Sequence, residues 1–309
     1  MRRLYAPFKS PTNFSYGGGF WNGFSRNRSI SIFAFSGCGK KDDGKADGDK
    51  ATAQAVKLVN INLTDEEYAF GVDKNQPELL EKTNAFIKKI MADGTFNAIC
   101  DKYFADGTPT AVESAVYDAN KDQLVVATNA AFEPFEYTQG DKYYGIDMEI
   151  AALLAKELGK ELVINNMEFD AVCTSVGQHK CDIAMAGLTV SEDRKTAVTF
   201  TDSYYKASQQ LIVKGDDTTF DNCKTKEDVE KILNGLDSTN IIGTQKGTTG
   251  MSYVEGSEDL GFAGLKAQCK KYTSGSLAVQ DLINGNITYV LIDAAPAASI
   301  VKAVNAVAA

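Results

Sequence analysis

Histidine is almost missing from this chain: His179 is the only one in 309 residues. It stands between Gln178 and Lys180 in what reads as a surface turn. A Ser-His-Asp or Cys-His nucleophile would have to use that one imidazole, so no catalytic residue is expected. The six cysteines, at positions 38, 100, 173, 181, 223 and 269, form no CxxC pair. A structural zinc site therefore lacks its usual ligand spacing, and neither metal nor cofactor is expected. Long apolar runs are lacking too. Nothing after residue 50 approaches the roughly 20 apolar residues that a membrane-spanning helix needs. Positive charge is in deficit, with 32 Lys and Arg against 41 Asp and Glu and a net charge of −9. Phosphate backbones are held by clustered Lys and Arg, so a nucleic-acid partner is not expected.

What is present fits a soluble α/β chain. The apolar fraction of 44% and the length are enough for two modest cores. Residues 30–38, "ISIFAFSGC", form a short apolar run that ends in small residues and Cys38, with Arg26 and Arg28 before it. The following "GKKDDGKADGDK" is charged and Gly-rich, a composition suited to a flexible tether. Residues 1–50 are accordingly read as a signal region and tether that take no part in binding.

From Lys57 onward short β-rich runs alternate with helical patterns, the mark of α/β architecture. "QPELLEKTNAFIKKIMADG" lines up Leu79, Leu80, Phe86, Ile87 and Ile90 on one helical stripe. "DMEIAALLAKELG" does the same with Ile150, Leu153, Leu154 and Leu158. "QLVVATN", "ELVINNM", "CDIAMAGL" and "QQLIVK" read as strands. Residues 105–122 lose periodicity and read as a linker.

The run "GLTVSEDRKTAVTFTDSYYKASQQLIVK" from Gly187 carries the most information. A small-residue turn, Thr189, an Arg five residues on and then "FTDSYY" resemble the carboxylate-gripping segment of family 3 extracellular solute-binding proteins. The resemblance covers about residues 57–309. It implies a type II periplasmic-binding-protein fold: two lobes, each a mixed sheet flanked by helices, joined by two crossover strands. "EEYAFGVDKNQPELLEKTNAFIKKIMADGTFNAICDKYF", which closes such proteins, here lies ahead of the rest. The expected order is therefore circularly permuted. Lobe 1 would span 63–212 with the linker 105–122 inside it, and lobe 2 would take 213–309 plus 57–62. One crossover is expected near residues 62–66. A truncated tandem gene would give the same order. Cys38 resembles the acylated cysteine of a bacterial lipobox, implying a lipid anchor on the outer face of the membrane.

The same resemblance implies an amino acid held between the lobes. Arg194 would pair with the carboxylate through two parallel bonds, a geometry open to guanidinium and not to ammonium. Thr189 and the backbone N–H groups at Ala186 and Gly187 would complete that grip, with Thr248 and Thr249 of "QKGTTG" adding theirs from lobe 2. Asp293, closing the strand of "YVLIDAAP", would meet the α-ammonium. Phe132 and Phe169 would wall the ligand side chain, and Asn129 and Gln245 would select its polar groups. Because Asn129 is neutral, a polar uncharged amino acid is the expected ligand. The implied partner is an ABC permease, and the chain is expected to be a monomer.

An enzyme on the same scaffold, of the cyclohexadienyl dehydratase kind, would need an acid such as Glu133 or Glu136 to protonate a leaving hydroxyl. A sensing module for a separate receptor is a third reading. Cys223 and Cys269, both in lobe 2, are candidates for a disulfide, and Thr174 carries no functional expectation.

Overall fold

The computed structural model describes residues 54–105 and 107–308. Cys38 and the tether fall outside them. Two five-stranded sheets organise the chain. One orders the strands Val198–Phe200, Gly71–Asp73, Ile183–Ala184, Gln123–Thr128 and Glu161–Asn166. The other orders Val56–Val59, Gln209–Lys214, Tyr289–Asp293, Ile241–Gln245 and Gln268–Tyr272. Each sheet is mixed. Gln123–Thr128 runs parallel to Glu161–Asn166, while Gly71–Asp73 is antiparallel to both its neighbours. In the second sheet the three strands from Tyr289 to Gln268 are parallel and the two on the other side antiparallel.

The helices cover these sheets for the reason their sequence suggests. Pro77–Ala92 buries Leu79, Phe86, Ile87 and Ile90, and Ile146–Glu157 buries Ile150 and Leu154. Burying such side chains stabilises by roughly 1.5–3 kcal/mol each. Gly94, with φ of +82°, ends the first of these helices and starts Thr95–Phe104, a backbone turn that a β-carbon would strain.

The chain passes between the sheets twice. It leaves Val56–Val59 for the first sheet through Glu66–Tyr68, and returns through Tyr205–Ala207 to Gln209–Lys214. These two crossing segments pair antiparallel, Tyr68 opposite Tyr205 and Glu66 opposite Ala207. Gln209–Lys214 is one unbroken strand of the second sheet, so the change of lobe falls before Gln209 and not after Ile212. Nothing local in the sequence marks where a crossover becomes a sheet strand.

The described residues of the 105–122 segment form no helix or strand, yet those from 107 onward are tied down. Val112 bridges Tyr143 and is buried, Ala115 donates to the Leu162 carbonyl at 2.8 Å, and the Ser114 hydroxyl accepts from Ile164 N at 2.8 Å. Glu149 anchors it further, accepting from Thr110 N at 3.0 Å and the Tyr103 hydroxyl at 2.7 Å, with Lys102 as ion partner. At the far end, the Asn305 amide holds the first strand to the last helix, accepting from Ala55 N at 3.0 Å and donating to Val56 O at 2.9 Å.

Candidate functional site

The cleft between the two sheets is closed around Arg194. Ser191 caps the short turn Glu192–Lys195, its hydroxyl accepting from Arg194 N at 3.2 Å. The guanidinium donates to Thr189 O in its own lobe at 2.7 Å and to Gly247 O across the cleft at 3.0 Å. It lies over the Phe169 ring at 5.2 Å, a cation–π contact. Phe169 thus lies beneath the Arg194 guanidinium, where a ligand side chain was expected to stack. Guanidinium carries five N–H donors, so donors are left for a carboxylate.

Thr189 is buried, and its hydroxyl donates to Glu66 at 2.6 Å. The hydrogen is committed to that carboxylate, which leaves the Thr189 oxygen as an acceptor. In this arrangement Thr189 can meet an ammonium through that oxygen, where the family resemblance implies donation to a carboxylate. The Gly187 N–H donates to Asp147 at 2.9 Å. Gly187 has φ of +51°, and a β-carbon there would come within 2.9 Å of Phe132 Cε1. Ala186 beside it is fully buried, and Phe132 is buried against Phe135 at 6.2 Å between ring centroids.

From the second lobe, Asp293 ends its strand buried, opposite Gln209. Its carboxylate accepts from the Tyr68 hydroxyl at 2.5 Å. Burial, then the nearby Glu66 charge, pushes its pKa up to about 7, against the opposing hydrogen bonds from Tyr68 and Gln209. Thr248 and Thr249 are buried at the turn after Ile241–Gln245, and the Thr248 hydroxyl donates to Gln245 O at 2.8 Å. A cavity of about 390 Å³ opens beside Thr189, Thr249 and Glu66. Asn129 and Gln245 join to each other across the cleft, Gln245 Nε2 donating to Asn129 Oδ1 at 2.9 Å. Asn129 also donates to Met167 O at 2.7 Å, while Gln245 Oε1 is buried without a partner.

A set of buried acids surrounds this site, of which sequence reasoning named only Glu136, as a proton donor for the enzyme alternative. Glu66 accepts from Thr64, Thr189 and Gln209 side chains. Asp147 accepts from Gly187 N and from the Tyr204 hydroxyl at 2.7 Å, and burial still pushes it up to about 7. Glu136 is fully buried with neither oxygen partnered, so burial, then Asp147 and Asp293, raise it well above the usual carboxylate range. Glu136 and Asp147 sit in "EPFEY" and "GIDMEI", acids inside otherwise apolar runs, and that was the available signal. His179 Nδ1 hydrogen-bonds the Asp73 carboxylate at 2.9 Å, away from all of these. Cys223 and Cys269 are free thiols. Glu133 is exposed beside Pro134, at a second cavity of about 280 Å³ that also touches Ser274 and Ile292.

Two mixed-sheet lobes joined by paired crossover strands, with a charged cleft between them, define the type II periplasmic-binding-protein fold. The family model for bacterial extracellular solute-binding proteins, family 3, matches residues 124–288, and the chain belongs to that family. It is 35% identical over 99 residues to the arginine-binding extracellular protein ArtP of Bacillus subtilis, a match covering 32% of this chain and 39% of that one. It is 27% identical over 176 residues to ABC transporter arginine-binding protein 1 of Escherichia coli, covering 56% and 64%. The chain thus spans less than two thirds of the length of these relatives. Among solved structures it resembles an ancestral amino acid-binding protein described as a precursor of cyclohexadienyl dehydratase, with a TM-score of 0.50, 30% identity and coverage of 59% and 74%. A glycine-to-alanine mutant of arginine-bound ArgBP from T. maritima gives a TM-score of 0.50, 31% identity and coverage of 59% and 78%.

Proposed function

We propose that this chain is the extracytoplasmic amino-acid-binding component of an ABC importer, closing two lobes around its ligand. The observation that carries this reading is the distribution of charge about one cleft. Arg194 reaches from the first lobe to Gly247 of the second, while Asp293 closes a strand of the second and meets Tyr68 of the crossover. A zwitterion offers a carboxylate for the one and an ammonium for the other, each costly to desolvate unless paired. Closure follows from the ligand's greater affinity for the closed arrangement. Glu66 and Thr189 stand ready as further acceptors for the ammonium.

The preferred ligand is an amino acid with a polar, uncharged side chain. Asn129 and Gln245 are neutral amides, and Gln245 Oε1 is a buried acceptor without a partner. Arginine is the second reading. Relatives named for arginine favour it, and so does the group of buried acids Glu66, Glu136, Asp147 and Asp293, which a cationic ligand would offset. The dehydratase alternative has less support. Glu136 is sealed without a hydrogen-bond partner, and an acid in that setting has no path to a leaving hydroxyl.

The proposed gene order is circularly permuted, with the segment through residue 104 moved ahead of the 124–288 family region and residues 107–122 tying the former ends. The proposed anchor is an acylated Cys38, and the proposed partner a membrane permease. A thermal-shift screen of the full chain against the common amino acids and cystine, repeated with Arg194→Ala, tests the reading. One or two ligands should stabilise the natural chain by about 2.7 kcal/mol at a hundredfold excess over Kd, seen as a raised melting temperature, and lose that effect in the variant. A cooperative melt that no amino acid moves would reject it.

A further inference from the structure

We infer that Asp259 is the clasp that holds the Arg194 turn in the closed cleft, a positioning residue supplied by the opposite lobe; this rests on the binding reading above. Asp259 lies in the loop after the helix Thr249–Glu255, within the second lobe. Its Oδ1 accepts from Glu192 N at 3.0 Å and its Oδ2 from Asp193 N at 3.2 Å, both in the first lobe. These two consecutive amides open the turn that carries Arg194. The same turn is therefore held to the second lobe twice, by its backbone through Asp259 and by its side chain through Gly247.

General charge attraction does not account for this contact. Glu192 and Asp193 are themselves acidic, and bringing Asp259 to them costs electrostatic energy that the two N–H bonds offset. Lys195 eases it by pairing with Glu192 at 2.5 Å. Nor is the Asp259 loop a loose arm. Ser257 bridges Phe262, and Leu260 N donates to the Ser257 hydroxyl at 3.3 Å, fixing Asp259 at the tip of a short hairpin. A carboxylate pinned in this way acts only when the lobes are together. When the cleft opens both bonds are lost at once, so the clasp slows opening and has nothing to offer the encounter. Two further contacts span the cleft, Asp170 to Lys246 at 2.7 Å and Asn129 to Gln245 at 2.9 Å, but neither touches the Arg194 turn.

The test compares the full natural chain with Asp259→Ala and Asp259→Asn, the latter keeping one oxygen acceptor. Hydrogen exchange is read at the Glu192 and Asp193 amides, and lobe separation by small-angle scattering. Both are measured without ligand and with L-arginine or L-glutamine, and judged in whichever solution the natural chain is most compact. The clasp predicts protected amides in the natural chain, roughly tenfold faster exchange and a larger radius of gyration in Asp259→Ala, and intermediate behaviour in Asp259→Asn, as expected for loss of hydrogen bonds to a charged group. For whichever amino acid binds, its release rate should rise about tenfold in Asp259→Ala with the association rate nearly unchanged. Unprotected amides in the natural chain, or faster exchange with no expansion, would overturn the proposal, the second outcome reducing Asp259 to a local cap. Failure of every amino acid to bind would sink the ligand reading and leave the exchange and scattering comparison to decide the clasp.

Discussion

The Tyr68 hydroxyl donates to Asp293 at 2.5 Å, joining a crossover strand to the end of a strand in the second lobe. Tyr68 is wholly buried, packed on Phe135 and Tyr205. Its bond is one of the forces holding the Asp293 carboxyl down against burial and the Glu66 charge. Tyr68→Phe should therefore raise the Asp293 pKa further and weaken amino-acid binding at pH 7 by roughly tenfold. Calorimetry at pH 7 and 8.5 checks this, because the deficit should shrink at the higher pH.

Binding itself should depend on pH. An ammonium requires Asp293 ionised, and in the free chain that carboxyl holds its proton up to about pH 7. Below that pH each binding event must release a proton, so affinity falls toward tenfold per pH unit. Above it affinity levels off. Titrations from pH 5.5 to 8.5, with proton release read from the buffer dependence of the heat, should show this bend, and Asp293→Asn should remove it along with most of the affinity.

Stability runs the other way. Asp147 and Asp293 ordinarily ionise near 3.8, but in the folded chain both are raised to about 7. Between those values the folded state holds protons that the unfolded state has released. The contribution of these two carboxyls to the stability of the ligand-free chain thus declines as pH rises from about 4 to 7 and flattens above. Urea melts across that range should show the decline, and Asp147→Asn should reduce its slope.

Gly187→Ala should destabilise through backbone and packing together. Its φ of +51° costs about 1–2 kcal/mol for a residue with a β-carbon. The new methyl also meets the Phe132 ring. A melting-temperature loss of roughly 3–8 °C is expected.

Arg194→Lys tests geometry against charge. Lysine keeps the positive charge and loses the planar fork. Hydrogen bonds to charged groups contribute about 1.5–3 kcal/mol, so Arg194→Ala should weaken binding by roughly 100-fold, and lysine should recover little of it.

Much of the architecture could be read from periodicity. Pro77–Ala92 and Ile146–Glu157 carry apolar stripes at helical spacing, and Gln123–Thr128 and Gln209–Lys214 are apolar runs of strand length. The crossover Glu66–Tyr68 is only three residues, and its partner lies far along the chain at Tyr205–Ala207. No local pattern specifies such a pairing. At the site, Arg194, Asp293, Thr189 and Thr249 stand out by residue type and motif. The direction of a hydrogen bond does not. That the Thr189 hydroxyl points to Glu66 and the Gly187 N–H to Asp147 depends on acids brought in from remote segments. The same holds for Asn129 and Gln245, whose amides meet only once the lobes are folded together.

The central claim is that one cleft grips both ends of an amino acid. The most direct measurement is calorimetric titration of the full chain with the best amino acid from the screen, beside its methyl ester and its N-acetyl derivative. The ester removes the negative charge meant for Arg194, and acetylation removes the ammonium meant for Asp293. If the account is right, both derivatives bind at least about 100-fold more weakly than the parent, as loss of a charge-assisted contact at either end requires. If either derivative binds as tightly as the parent, the group it lacks is not held, and the proposed clamp between Arg194 and Asp293 is wrong.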